Sequence, residues 1–413
     1  MKSRTAKVTF WAASIIVVVG LSLSASMLSG VAEQWRARYS GPGNGDDSPL
    51  AIALDAAGRI IVTGTSFAPD TTLDFATVKY DRNGNRLWAD RYDGPGHDMD
   101  VGISIAVGPA GHVYVTGKSL GADTNLDYAT IKYDELGNRL WIARYNGTEN
   151  NEDIGMALAV DVSGNVYVTG DAVEKGNDFD IVTIKYDGNG TPQWIAKYDG
   201  PAHSVDAGSA IAVDSEGNVY VTGMSVGTRA ICDFVTIKYD ASGRELWVAR
   251  HNSYGDFDGA SRLALGKNGT VHVTGRSVGT GTSSDYLTIT YDAAGNELWA
   301  ARYDGPAHGH DRATSIAVGD DGSVSVTGLS TGIGTGYDYA TITYEADGRQ
   351  RWVARYDGPA NRYDGGHWVG VDSNGDVYVT GKSYGISTGS DYATVKYDST
   401  GTLQWVIRHE GMG

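Results

Sequence analysis

The sequence predicts an all-β protein, a seven-bladed β-propeller of four-stranded antiparallel blades with an N-terminal extra strand that helps to close the ring. Each repeat unit contains four short β-type segments and shows no helical periodicity. A four-stranded meander that recurs every 40 to 55 residues or so is typical of β-propellers. The unit is marked by eight tryptophans spaced 52 or 53 residues apart: Trp35, Trp88, Trp141, Trp194, Trp247, Trp299, Trp352 and Trp405.

The fourth copy shows the predicted strands most clearly. They are AIAVD (210–214), NVYVTG (218–223), DFVTIKYD (233–240) and ELWVARH (245–251), named a, b, c and d. The a–b and c–d connections, DSEGN and DASGR, match tight turns in which glycine adopts a left-handed conformation. The b–c and d–a connections are longer. Tight hairpins should therefore lie on one side of the ring and long loops on the other, here called the long-loop face.

The strand count sets the number of blades. Strands a, b and c each occur seven times and strand d eight times, which leaves the Trp35 strand over. We expect residues 33–40 to lie beside, or to replace, the Trp405 strand in the closing blade, whose other strands are predicted at 369–372, 377–381 and 391–398. A β-solenoid is the alternative, but its rungs are usually shorter and it would need capping ends that the sequence does not show.

The N-terminus differs from the repeats. Basic residues precede a mostly apolar stretch (10–25), and Gly30-Val31-Ala32 provides small residues before Glu33. Residues 1–32 are therefore a signal peptide or an uncleaved N-terminal membrane anchor, and residues 33–413 form a single propeller domain. Both interpretations predict export to the periplasm, the cell surface or the extracellular space.

Composition narrows the set of partners. The formal charge is −17 and the pI is near 4.8, which disfavours nucleic acid and anionic membrane surfaces. We expect membrane contact only through the N-terminal segment, if it is uncleaved, and a monomeric state. The single cysteine, Cys232, excludes an internal disulfide framework and a cysteine-rich zinc site.

The repeat resembles a known family. DSEGNVYVTG followed by DFVTIKYDASG is similar to the bacterial SBBP-type β-propeller repeat, and the resemblance extends over about residues 46–405. It implies an exported bacterial protein, often a module of larger surface proteins, with no defined activity. KYDASGRELW is less closely similar to quinoprotein propellers, which implies only that the d-strand tryptophans dock between blades.

Two motifs are interpreted as structural. Five segments match G-x-S-x-G, but no helix follows strand b, so they do not form a nucleophile elbow. We expect their serines to bond to the nearby backbone. DSNGD (372–376) and DRNGN (81–85) lack the glycine and glutamate of a calcium loop and are predicted to be hairpin turns.

Two sets of aspartates should converge on the long-loop face and are the candidate ligand-binding residues. We favour the interpretation that each caps loop amides or bonds an adjacent blade, and the alternative is an acidic mouth for a cation or a cationic partner. No organic cofactor is expected, and calcium is the cation that such oxygen ligands would suit. One set precedes strand a and the other opens strand c: Asp47, Asp100, Asp153, Asp206, Asp258, Asp311 and Asp364; Asp74, Asp127, Asp180, Asp233, Asp285, Asp338 and Asp391.

The histidines give weaker evidence for a binding site than the aspartates do. His97, His203 and His308 occupy matching places in three d–a loops, and we expect them to lie on the surface of turns. The identity of any metal is unknown from the sequence. The pair His308 and His310, flanked by Asp304 and Asp311, is the first place to look for zinc or copper.

The predicted function is that of an exported, non-enzymatic binding or scaffold module with a protein or glycan partner at the cell envelope. The alternative is an enzyme, a lyase or glycan-active hydrolase, that uses the long-loop face. A cluster of converging polar residues unique to one or two blades would favour the enzyme. The largest departures from the repeat are HNSYGDFDGAS (251–261) in blade 5 and HWVGVD (367–372) in blade 7.

Overall fold

The computed structural model describes residues 33–43, 45–69, 72–174, 176, 178–229, 231–252, 257–279, 281 and 283–410. The predicted signal peptide or anchor lies outside these residues. Within the described part of the chain, no helix is long and apolar enough to cross a membrane.

Seven antiparallel sheets of four consecutive strands confirm the predicted all-β propeller. A short 3-10 helix at Pro109–Gly111 is the one helix of the described residues. Blades 1 to 4 contain β1 to β16: Ser48–Leu54, Ile60–Phe67, Leu73–Tyr80, Arg86–Tyr92; Asp100–Val107, Val113–Leu120, Leu126–Tyr133, Arg139–Tyr145; Ile154–Val160, Val166–Val173, Phe179–Tyr186, Pro192–Tyr198; Asp206–Val213, Val219–Val226, Cys232–Tyr239, Glu245–His251. Blades 5 to 7 contain β17 to β28: Asp258–Leu265, Val271–Val278, Ser284–Tyr291, Glu297–Tyr303; Asp311–Val318, Val324–Gly332, Gly336–Tyr344, Gln350–Tyr356; Asp364–Val371, Val377–Gly385, Gly389–Tyr397, Leu403–His409.

Strands a and b are longer than the sequence indicated. In blade 4, strand a begins at Asp206 instead of residue 210, and a bulge between Gly208 and Ala210 shifts its register against strand b. The first glycine of G-x-S-x-G therefore lies inside strand b and not at its end. It must be glycine because a Cβ at Gly223 would lie 1.9 Å from the Ala207 carbonyl oxygen.

The core lies between the blades. One cluster joins Tyr167 and Ile181 of blade 3 to Val219, Val221 and their neighbours in blade 4, and similar clusters fill the other interfaces from blade 1 to blade 7. The a strands of successive blades contact one another, which places them innermost, around the axis. Side chains that leave the a strands toward the axis therefore line a channel. No comparable strand contact joins β25 to β1, and Leu54 of β1 and Trp368 of β25 are each more than half exposed there.

The d-strand tryptophans dock on the next blade, as the resemblance implied. The Trp194 indole N–H donates to the Ala241 carbonyl oxygen in the c–d turn of blade 4, at 3.2 Å. Its ring packs against Tyr239 with centroids 6.2 Å apart, above Gly243, where a Cβ would lie 2.6 Å from the indole. The same bond recurs at each interface from blade 1 to blade 7.

The N-terminal segment 33–40 occupies the corresponding position on blade 1. Trp35 donates to the Arg82 carbonyl oxygen at 2.7 Å, so it takes the place of the tryptophan of a preceding blade. Glu33 lies 3.8 Å from His409 at the end of β28, so the segment contacts both ends of the ring. Only Ala37 has strand-type bridging, so the predicted extra strand in the closing blade is not formed, and Trp35, Ala37 and Tyr39 pack on blade 1 instead. The ring contact of Trp405 is with Tyr378 of its own blade.

Candidate functional site

The aspartates at the start of strand a tie the d–a loop to the blade. The Asp206 carboxylate accepts the Gly200 N–H at 2.6 Å, and Asp153 accepts both the Gly147 N–H and the Val173 N–H. Similar amide bonds reach Asp47, Asp100, Asp311 and Asp364. In five blades this aspartate is the first residue of strand a and does not precede the strand as expected, because strand a continues past its bulge.

The aspartates that open strand c are paired with arginines. In six blades the carboxylate binds the guanidinium of the residue 17 positions later in strand d, at N–O distances of 2.7 to 3.0 Å. The pairs are Asp74–Arg91, Asp127–Arg144, Asp233–Arg250, Asp285–Arg302, Asp338–Arg355 and Asp391–Arg408. Most of the predicted acidic face is therefore engaged within the blades.

Blade 3 departs from this pattern. Lys197 replaces the arginine, and its ammonium binds Glu174 at 2.7 Å instead of Asp180. Burial, followed by the charges of Asp199 and Asp206, raises the pKa of Asp180 to about 6. Asp180 and Asp47 are the two members of the predicted set that are half-buried, whereas the other twelve are buried. Asp180 thus has a more accessible carboxylate and no guanidinium.

Three acidic clusters form where a c-strand aspartate meets the next d–a loop. Their carboxylate oxygens lie within 4.8 Å of one another. Two of the clusters include an arginine-paired aspartate, Asp74 or Asp285, and the third includes Asp180. The members are Asp74, Asp93 and Asp100; Asp180, Asp199 and Asp206; Asp285, Asp304 and Asp311.

The three loop histidines sit on the rims of these clusters. The Nδ1 atom of His203 lies 2.6 Å from Asp199, and His97 and His308 make the same contact with Asp93 and Asp304. All three histidine side chains are exposed, as predicted. His310 turns toward the Ser284 hydroxyl at 3.3 Å, so the proposed histidine pair shares no common partner among the described contacts.

The serines of G-x-S-x-G bond to arginine. The Arg250 guanidinium donates to the Ser225 hydroxyl at 2.5 Å and also to the Ser225 carbonyl oxygen. The other four copies repeat this contact with the d-strand arginine. The expected backbone partner of the hydroxyl is thus a guanidinium, which cannot act as a general base.

Sequence reasoning missed a basic and aromatic surface on the channel side of blades 5 to 7. It comprises Arg262, Arg276, Arg312 and Lys382 together with Phe257, Tyr363, His367 and Trp368, and is here called the cationic channel wall. The Arg276 guanidinium lies 4.1 Å from the centroid of Phe257, and the Lys382 ammonium lies 5.6 Å from that of Tyr363. Position-by-position alignment of the repeats could have found it, because two of the three arginines replace small or apolar residues.

The fold and its repeated contacts define the class of the protein as a seven-bladed β-propeller. The family model for SBBP, described as a beta-propeller repeat, matches residues 200–228. Together with the ring of seven blades, this match supports an SBBP-type propeller family, as the resemblance in the sequence suggested.

Comparison with other proteins adds little to this assignment. No curated protein matches the chain. A eukaryotic initiation factor structure is similar with a TM-score of 0.42 and 9% identity, over 88% of this chain and 91% of that one. YjhT has a TM-score of 0.37 and 13% identity, with coverages of 73% and 96%. The gluconolactonase XC5397 from Xanthomonas campestris has a TM-score of 0.35 and 12% identity, with coverages of 70% and 95%. Likenesses this weak support no functional argument.

Proposed function

We propose that the protein is an exported, non-enzymatic propeller that serves as a binding or scaffold module at the bacterial cell surface or in the periplasm. The observation that carries the proposal is that the strand-c aspartates on the long-loop face are paired with arginine in every blade except blade 3. Six blades close this face with internal ion pairs, and blade 3 leaves a carboxylate group open to a partner. A rigid ring with one open acidic site suits binding better than chemistry.

The open site is the cluster of Asp180, Asp199 and Asp206, and its expected ligand is calcium. Asp206 is fully buried, and its Oδ1 atom has no hydrogen-bond partner within the described structure. The same holds for Asp100 in the Asp74 cluster, so the blade 3 cluster is distinguished by Asp180, which has no guanidinium partner. A buried carboxylate oxygen without a donor is costly unless a cation or water satisfies it. Oxygen ligands favour calcium over softer metals. A bound ion could then attach a protein or glycan partner that offers further oxygens.

Calcium titration of residues 33–413 by calorimetry and thermal melting tests the site. We expect heat of binding and a melting temperature that rises with calcium, because the ion binds the folded state. Asp180→Asn should abolish both signals. Lys197→Arg should do the same, because it restores the guanidinium that the other six blades carry.

The matched control is Asp74→Asn, which alters an arginine-paired cluster and should leave the heat unchanged. Equal heats from the wild type, Asp180→Asn and Lys197→Arg would contradict the proposed site. Magnesium serves as the second control, since a flexible carboxylate site should bind it more weakly.

Export is tested separately. Expression of the full chain in a bacterium, followed by cell fractionation and mass spectrometry of the N-terminus, should place the propeller outside the cytoplasm. A mature N-terminus at Glu33 indicates cleavage, and an intact one in the membrane fraction indicates an anchor. Recovery of the intact chain in the cytoplasm would contradict export.

A further inference from the structure

The cationic channel wall breaks the sevenfold repetition of the molecule. Arg312 is the second residue of its a strand, where the other blades carry residues without charge. Arg262 occupies another a-strand position, at which five blades carry alanine or serine next to the same strand-b threonine. The residues equivalent to Arg312 are Ser48, Val101, Ile154, Ala207, Gly259 and Gly365.

These cations act on one another electrostatically and have no carboxylate partner in the described part of the chain. Burial within the ring lowers the pKa of Arg262 and of Arg276, and in both cases the charge of Arg312 lowers it further. Burial lowers the pKa of His367, and the charges of Lys382 and Arg312 lower it further. Arg262 and His367 are nevertheless exposed to solvent. Among the described residues, none of the four cations makes an ion pair.

Aromatic rings accompany the cations. Trp368 is 53% exposed on the face of blade 7 where β1 makes no comparable contact, whereas the equivalent Ala210 is buried. Tyr363 packs edge-on against Tyr337 of blade 6, with centroids 5.6 Å apart. A guanidinium stacked on a ring, as Arg276 is on Phe257, keeps its N–H edge free to donate.

This combination is specific to a ligand class. Carboxylates match the guanidinium fork, and aromatic faces pack against flat apolar surfaces. Inorganic polyphosphate would supply the negative charges but offers no flat apolar face to the aromatic rings. We propose that the cationic channel wall binds the uronate sugars of an acidic polysaccharide. The site is separate from the calcium cluster, so either can fail alone.

Isothermal titration of residues 33–413 with oligogalacturonate at physiological salt tests the proposal. We expect saturable binding, with no binding to the methyl-esterified oligosaccharide, which keeps the sugar rings and loses the charges. Arg312→Ala and Arg276→Met should each weaken binding about tenfold or more. Trp368→Ala should also weaken it.

These variants insert the residues of sister blades, since Ala207, Met224 and Ala210 occupy the equivalent positions in blade 4. They should therefore fold, and thermal melting confirms it. The control is Arg244→Ala, at an exposed arginine in a c–d turn on the opposite face, which should leave binding unchanged.

Arg312→Lys distinguishes bidentate binding by the guanidinium from attraction by positive charge alone. Lysine keeps the charge but cannot bind a carboxylate through two parallel hydrogen bonds. The variant should bind several-fold more weakly than the wild type. The proposal is overturned by an absence of binding, by equal binding of the methyl ester or of inorganic polyphosphate, or by channel variants that bind like Arg244→Ala.

Discussion

The docking of tryptophan on the next blade gives the sharpest prediction about stability. Trp194 lies between blades 3 and 4, held by its bond to Ala241 and by ring contacts with Tyr167 and Tyr239. Trp194→Ala should remove this contact and leave a gap beside Gly243. The hydrogen-bond acceptor is exposed, so water can replace the indole N–H and little is lost there.

The magnitude follows from the partial burial of the ring. Buried tryptophans cost roughly 3 to 5 kcal/mol when truncated, and a half-buried one falls at about 3 kcal/mol. The entropy of unfolding of a chain of this size is roughly 0.8 kcal/mol/K. Trp194→Ala should therefore lower the melting temperature by about 4 °C.

Scanning calorimetry of the wild type and two variants checks this expectation. Trp405→Ala is the matched control, because its ring contact is with Tyr378 inside its own blade. It should cost less than about 1.5 kcal/mol. An unchanged melting temperature for Trp194→Ala, or equal losses for both variants, would refute the docking argument.

Three further predictions address the bulge, the N-terminal segment and blade 3. Gly223→Ala should destabilise the fold by roughly 2 to 4 kcal/mol, because its Cβ would lie 1.9 Å from a carbonyl oxygen. The control, Gly370→Ala, has open space around the new Cβ and should change the free energy of unfolding by less than about 0.5 kcal/mol. Urea titrations measure both. Deletion of residues 33–45 should first speed hydrogen exchange in residues 60–80 of blade 1, and unchanged protection there would show that the segment does not hold the ring. Asp180 has a folded pKa of about 6, above its ordinary value of 3.8, so its protonated form stabilises the fold below about pH 4 and this contribution is lost as the pH rises through 6. Asp180→Asn should therefore exceed the wild type in melting temperature at pH 7 and equal it near pH 4, and a constant difference would argue against the raised pKa.

The fold could be predicted from the sequence because the signal was repeated. One copy of DFVTIKYD would have been ambiguous, but seven copies set the strand order, the blade count and the side of each loop. The predicted d strand of blade 4, 245–251, matches the structure. The a strands were predicted too short, since a bulge interrupts the alternation of side chains and the segment before it lost its strand signal.

The contacts of the candidate site were harder to foresee. Repetition showed that fourteen aspartates share a face, but the partner of each depends on which long side chain reaches it across the sheet. The Asp233–Arg250 pair joins residues on neighbouring strands whose facing positions only the register reveals. The substitution of Lys197 for arginine was visible in the sequence, and it gained meaning only once the arginines were seen to bind the aspartates.

Residues that recur in every blade and residues that occur in only one blade have different explanations in this molecule. A residue that recurs in every blade solves a problem that every blade has, as Gly223 does at the bulge and Trp194 does between sheets. A residue that appears in one blade cannot be needed to build a blade, because the sister blades fold without it. Lys197 and Arg312 are of this second kind: Lys197 binds Glu174 and leaves Asp180 without a guanidinium, and Arg312 makes no ion pair among the described residues. Uncompensated charge costs stability, and the calcium ion and the uronate ligand proposed above would offset that cost at these non-repeated positions.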